Sequence, residues 1–155
     1  LQLARMTAGL VNGGFMVTPR LLKSMMRPNS DRNSLNLNPK HLKVVVDGMN
    51  RVTNGALGTA RGVLRASSSV KFGGKTGSVQ VKRISLDDRR AGKVKNEDKP
   101  WAERDHAMFV GYAPLNSPRY VVSVVVEHGG GGSTMAAPIA RDILEKTIKL
   151  DPITL

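Results

Sequence analysis

Cysteine is absent from these 155 residues, and histidine occurs only three times, at His41, His106 and His128. Thiol nucleophiles, disulfide frameworks and cysteine-type zinc sites are excluded, and three scattered imidazoles do not make a multi-histidine metal centre. No metal and no cofactor is expected. Aromatic residues amount to 4%, which leaves few platforms on which nucleic-acid bases could stack. Long hydrophobic runs are missing as well. The longest, Val121 to Val126, is six residues and contains Ser123, too short to span a bilayer, and no signal-peptide pattern is read. Acidic side chains are scarce: 12 Asp and Glu face 24 Lys and Arg, for a formal charge of +12.

What is present amounts to one domain's worth of chain with a modest 40% hydrophobic share, low for a self-contained core. Residues 1–71 carry a net +9, residues 72–105 a net +3, and residues 106–155 none. The basicity therefore belongs to the first half and is not a terminal tail.

The chain opens at Leu1 already inside a helical pattern, Leu3, Met6 and Leu10, which ends at Asn12-Gly13-Gly14 and reads as a chain cut from a longer one. Phe15–Leu22 reads as an extended piece, and 24–38 as a polar loop. Asn38 and Pro39 then predict an N-cap and first helical residue. The helix that follows should carry an apolar stripe of Leu42, Val45, Val46, Met49 and Val52 and stop at Asn54-Gly55. Residues 72–81 read as a strand, 82–104 as a charged, solvated loop with Trp101 as its anchor, and His106–Ala113 with Arg119–Glu127 as an antiparallel hairpin. The valine-rich second arm should be covered on both faces. Gly129–Gly132 leads into a last helix capped by Ser133 or Thr134, with Ile139, Ile143, Leu144 and Ile148 on one face. The sum is an α/β (α+β layered) chain: an antiparallel sheet of about three strands with flanking helices.

Chemistry concentrates in Lys75-Thr76-Gly77-Ser78. Gly73, Gly74 and Gly77 leave the strand backbone bare, as needed where an extended peptide pairs with it. A lysine ammonium and two neighbouring hydroxyls present donors to a carboxylate. The triad Lys-Thr-Gly is a motif of penicillin-binding proteins and class A β-lactamases.

The resemblance extends along the chain. Leu1-Gln2-Leu3-Ala4, Val46-Asp47-Gly48-Met49, Gly58-Thr59-Ala60, Lys75 to Val81, His106 to Pro114 and Val125 to Gly130 follow one another as in the transpeptidase domain of a class B penicillin-binding protein, closest to the elongation-type penicillin-binding protein 2. This resemblance implies a partial penicillin-binding/β-lactamase-like fold, with residues 1–155 as the C-terminal portion of the domain. It implies a serine acyl transferase that takes the D-Ala-D-Ala end of a peptidoglycan stem peptide and passes it to a neighbouring amine, with β-lactam antibiotics acylating the same serine. Lys75 would hold the terminal carboxylate and support the proton relay. Thr76 and Ser78 would bind that carboxylate, Gly77 would keep the strand open to it, and the Ser78 N–H would be an oxyanion-hole donor. Ser78 stands where a threonine is common, which keeps the hydroxyl. The parent would sit in the bacterial inner membrane with this part periplasmic, beside proteins of the cell-elongation machinery.

The family also needs an S-x-x-K serine and an S-x-N motif upstream of Lys-Thr-Gly. Ser68-Ser69-Val70-Lys71 and Ser34-Leu35-Asn36 match these patterns in reversed order. Roughly 0.8 S-x-x-K matches are expected by chance in this composition, and Ser68 lies too close to Lys75 to fold back onto the same strand. Both are read as decoys, and the segment alone as inactive. The rival readings are a basic nucleic-acid-binding module, prompted by the charge, and a non-catalytic scaffold of the same fold. Self-association of the segment over its thin sheet is a further expectation.

Overall fold

The structure, a computed structural model, describes residues 1–22, 33–64, 70–92 and 95–151. Helix α1 runs Gln2–Val11 and stops where the sequence places its stop, with Gly13 and Gly14 both at φ 90°, a backbone region that costs glycine little. The Asn12 side chain turns the chain there, accepting from the Phe15 N–H at 2.9 Å and donating to the Phe15 carbonyl at 2.8 Å. The extended piece after it contributes one isolated antiparallel bridge, Phe15 to Ser34.

Helix α2 spans Pro39–Asn54. The Asn38 side chain accepts from the Lys40 N–H at 2.9 Å, and Pro39 occupies the first turn, where its missing N–H costs nothing. A short helix α3, Arg61–Leu64, leads toward strand β1, Gly73–Val79. The charged excursion holds a helix α4, Leu86–Arg90, closed by a Ser85–Asp88 capping box, and two 3₁₀ turns at Asn96–Asp98 and Trp101–Glu103; none of these short elements buries a residue.

Strands β2, His106–Ala113, and β3, Tyr120–Val126, form the expected hairpin. The sheet is antiparallel in the order β1-β2-β3, with Phe109 opposite Thr76 on one side and Val124 on the other. A π-helical turn, Gly132–Ala136, then runs directly into α5, Ala137–Leu150.

Alternation along β2 sorts the core. Ala107, Phe109 and Ala113 share one buried face with Val122 and Val124, and α5 covers it with Ala137, Ala140 and Leu144. Phe72 meets Phe109 edge to face, 6.2 Å between centroids, a geometry aromatic pairs favour. Helix α1 lies across β2 and β3, and α2 lies against β1.

Three expectations are corrected. The inward face of α5 is made by Ala137, Ala140, Leu144 and partly buried Ile148, while Ile139 and Ile143 are exposed; the two alanines let the helix approach the Phe109 face closely. Neither Ser133 nor Thr134 caps it, because the π-helical turn continues into α5 and the Thr134 hydroxyl bonds back to the Gly131 carbonyl at 3.1 Å. Val45 and Val125 stay exposed: the described elements close one face of the sheet fully, while on the other α1 covers the valine-rich strand only in part. No helix among the described residues is long and apolar enough to cross a membrane.

Candidate functional site

Strand β1 is an edge strand. Its inner side pairs with β2, and no described strand pairs with its outer side, so a row of backbone donors and acceptors is left for another extended chain. The glycines serve close approach. A Cβ on Gly74 would run into the Phe109 ring and the Val110 carbonyl, and one on Gly132 into the Gly77 and Met108 carbonyls. The strand-to-helix turn Gly129–Gly132 thus ends with Gly132 seated against the backbones of β1 and β2 at Gly77 and Met108.

The register sets the side chains of the motif. Lys75 and Gly77 alternate with Thr76 and Ser78, opposite Val110, Met108, Phe109 and Ala107 respectively. Lys75 is exposed, and its Nζ donates to the Thr76 carbonyl at 2.7 Å. The Thr76 and Thr59 hydroxyls lie 3.1 Å apart. The Ser78 hydroxyl is turned away, donating to the Gly130 carbonyl at 3.3 Å.

Lys75 borders two openings. One is an apolar groove of about 520 Å³ between α1, α2 and the sheet, lined by Leu3, Met6, Leu10, Met49 and Met108. This groove explains why the stripes of α1 and α2 are only half buried. The other, about 550 Å³, is walled by Arg51, Leu57 and Thr59. An ammonium, two hydroxyls and an unpaired strand edge at such a mouth suit an extended peptide ending in a carboxylate.

The end of the charged loop is fastened beside this strand. Asn96 accepts from the Asp105 N–H at 2.9 Å, Lys99 pairs with Asp105 at 3.0 Å, and the Gly130 N–H donates to the Asp105 carbonyl at 2.8 Å. His128 sits at φ 55°. Its N–H donates to His106 Nδ1 at 2.8 Å, and its ring lies 4.4 Å from that of Trp101. Trp101 does anchor the loop, through an imidazole and not through the core.

Tyr112, opposite Gly73 in the register, has a fully buried hydroxyl with no hydrogen-bond partner among the described residues. Burial, and then the negative charge of Asp47, push its pKa above the ordinary value. Tyr120 is also raised, chiefly because its hydroxyl is bonded to the Asp151 carboxylate, with a smaller effect of burial.

The structure brings Lys75, Thr76, Gly77 and Ser78 together on one strand as the sequence requires. Ser68 and Ser69 lie outside the described residues. Ser34 and Asn36 sit in a turn beside α1, where the Ser34 hydroxyl accepts from the Asn36 N–H at 3.1 Å, and neither lines the openings that Lys75 shares. Sequence reasoning assigned no role to Thr59, whose contact with Thr76 is set by the loop between α2 and α3 and has no periodic signal.

Over residues 1–145 the chain matches the family described as the penicillin binding protein transpeptidase domain. It is 35% identical to the peptidoglycan D,D-transpeptidase MrdA of Haemophilus influenzae, over 94% of this chain and 23% of that protein. Among solved structures, penicillin-binding protein 2 of Pseudomonas aeruginosa in complex with WCK 5153 aligns with a TM-score of 0.73 at 34% identity, covering 95% of this chain and 30% of the other. The penicillin-binding protein 2 of Helicobacter pylori, in complex with MreC, aligns with a TM-score of 0.69 at 27% identity, covering 94% and 24%. The chain spans about a quarter of the length of the curated relatives it matches.

Proposed function

The chain belongs to the penicillin-binding-protein transpeptidase domain family, and from that premise we propose that residues 1–155 form the C-terminal portion of a peptidoglycan D,D-transpeptidase, carrying one wall of its active-site cleft. The observation that supports this reading is the edge position of β1, which presents Lys75, Thr76 and Ser78 beside an unpaired backbone.

In this reading a stem peptide ending in D-Ala-D-Ala lies along the outer side of β1 as an added strand. Lys75 draws its carboxylate and supports the proton relay of the serine. Thr76 binds the carboxylate, Gly77 leaves the strand open, and Ser78, whose hydroxyl donates to the Gly130 carbonyl, offers its N–H to the oxyanion as the acyl-enzyme forms. The serine attacks the carbonyl carbon of the penultimate D-Ala, terminal D-Ala leaves with a proton, and an amine of a second stem later displaces the serine. β-Lactams enter by the same route and stay as the acyl-enzyme. The serine and its lysine come from outside this segment, and the apolar groove is the surface on which the rest of the domain rests. The enzyme works on the periplasmic side of the inner membrane, within the elongation machinery. The complex of the Helicobacter pylori relative with MreC supports a partner of that kind.

Labelling with a fluorescent penicillin tests the division of labour. The full-length protein takes up one label; Lys75→Ala slows labelling by about 100-fold or more, on the scale of losing a transition-state donor; and the 155-residue segment alone takes up none. One-to-one labelling of the segment, or an unimpaired Lys75→Ala, overturns the reading.

A further inference from the structure

We propose that Thr59 is a positioning residue of this site, holding the Thr76 hydroxyl so that its proton points at the substrate carboxylate; the inference rests on the function proposed above. The two hydroxyls of the motif are not equivalent. Ser78 spends its proton on the Gly130 carbonyl, whereas the Thr76 oxygen lies 3.1 Å from that of Thr59. A hydroxyl has one proton and two lone pairs. When Thr59 donates to Thr76, the Thr76 proton is left for a ligand, and a hydroxyl that accepts one bond is the better donor of the next.

The pair is not there to satisfy buried groups, because Thr59 is exposed and the contact lies in solvent reach. It is nevertheless rigidly placed. On one side of Thr59, Gly58 is pressed so closely against the Arg51 and Val52 carbonyls that no Cβ would fit. On the other, Ala60 is buried and its N–H donates to the Val52 carbonyl at 2.9 Å. The start of β1 is tied to the same stretch of α2, since Thr53 and Asn54 donate to the Phe72 carbonyl at 2.6 and 3.0 Å. Both halves of the hydroxyl pair are therefore referenced to the last turn of one helix, the kind of support that fixes a binding group within a fraction of an ångström. Thr59 also walls the opening that Lys75 borders. A carboxylate drawn in by the ammonium arrives where the aligned Thr76 proton waits.

The test is the acylation rate of the full-length protein by benzylpenicillin and by its methyl ester, which lacks the carboxylate. Thr59→Val slows reaction with the free acid by about 5- to 10-fold, the effect of one hydrogen bond, and leaves the ester unchanged; Thr59→Ser returns the free-acid rate to within about 2-fold of wild type on the same scale. Thr59→Ala gives the same acid-to-ester pattern. Equal slowing of both ligands, or of neither, overturns the inference. Thr76→Val serves as the reference: if it too treats acid and ester alike, the carboxylate reading of the site falls, and if it discriminates while Thr59→Val does not, only the role of Thr59 falls.

Discussion

The hydroxyl of Thr53, buried at the end of α2, donates across 2.6 Å to the carbonyl of Phe72, the residue that precedes β1. One side chain thereby joins the helix to the strand that bears the motif. Thr53→Val keeps the shape and removes the donor, and it is expected to cost about 1–2 kcal/mol, softened because Asn54 still reaches the same carbonyl. Urea unfolding of Thr53→Val and of the Thr53→Val/Asn54→Ala pair checks this. The pair should lose more than either change alone, and an unshifted midpoint in the double variant refutes the anchor.

Much of the fold is legible in the order of residues alone. Asn38-Pro39 and Asn54-Gly55 bracket α2 because capping and helix termination are local chemistry, and the hairpin of β2 and β3 follows from alternation over adjacent residues. What the sequence does not disclose is decided between distant elements. Ile139 and Ile143 look like the inner face of α5, but close approach of the helix favours the alanines. Likewise Lys75 to Ser78 are found as a motif, while Thr59, 17 residues earlier than Thr76, becomes part of the site only through tertiary packing.

Glycine at position 74 is required by volume, since any Cβ there overlaps the Phe109 ring and the Val110 carbonyl. Gly74→Ala must push β1 away from β2 and is expected to destabilise by about 1–3 kcal/mol, the range for overpacking a filled core. Gly62, whose Cβ would meet nothing within 4 Å, is the control: Gly62→Ala should leave the thermal midpoint at or above wild type. Equal behaviour of the two variants would show that the sheet edge is looser than the packing implies.

The buried hydroxyl of Tyr112 has no partner among the described residues, so removing it should relieve a penalty. Tyr112→Phe is expected to stabilise by about 1 kcal/mol at neutral pH. The sign at high pH follows from the raised folded-state value. Below the ordinary value of 10.0 both states hold the proton and stability does not change. Above it the unfolded chain ionises first, so stability is lost as pH rises. Denaturation midpoints between neutral and strongly alkaline pH should fall less steeply for Tyr112→Phe than for wild type. Parallel curves would assign the alkaline loss to Tyr120 instead, whose pKa is also raised.

His128 holds a positive φ of 55°, a conformation that a bulky residue keeps only when its surroundings insist on it. Three contacts do so: its N–H donates to His106 Nδ1, its own Nδ1 lies 3.0 Å from the Arg104 carbonyl, and its ring meets Trp101. His106→Phe preserves a ring against His128 while deleting the acceptor, leaving a part-buried N–H unpaired at a cost of about 1–2 kcal/mol. Because the Gly130 N–H and the Asp105 carbonyl join the same two segments, the loss should open them together. Amide exchange at residues 128–130 and 105 should quicken by about 5- to 30-fold, the factor that corresponds to that cost, while amides in the middle of β2 keep their wild-type protection. Unchanged exchange at residues 128–130 would mean that Trp101 and the Arg104 carbonyl suffice to hold the turn, and the loop beside Ser78 would then not depend on His106.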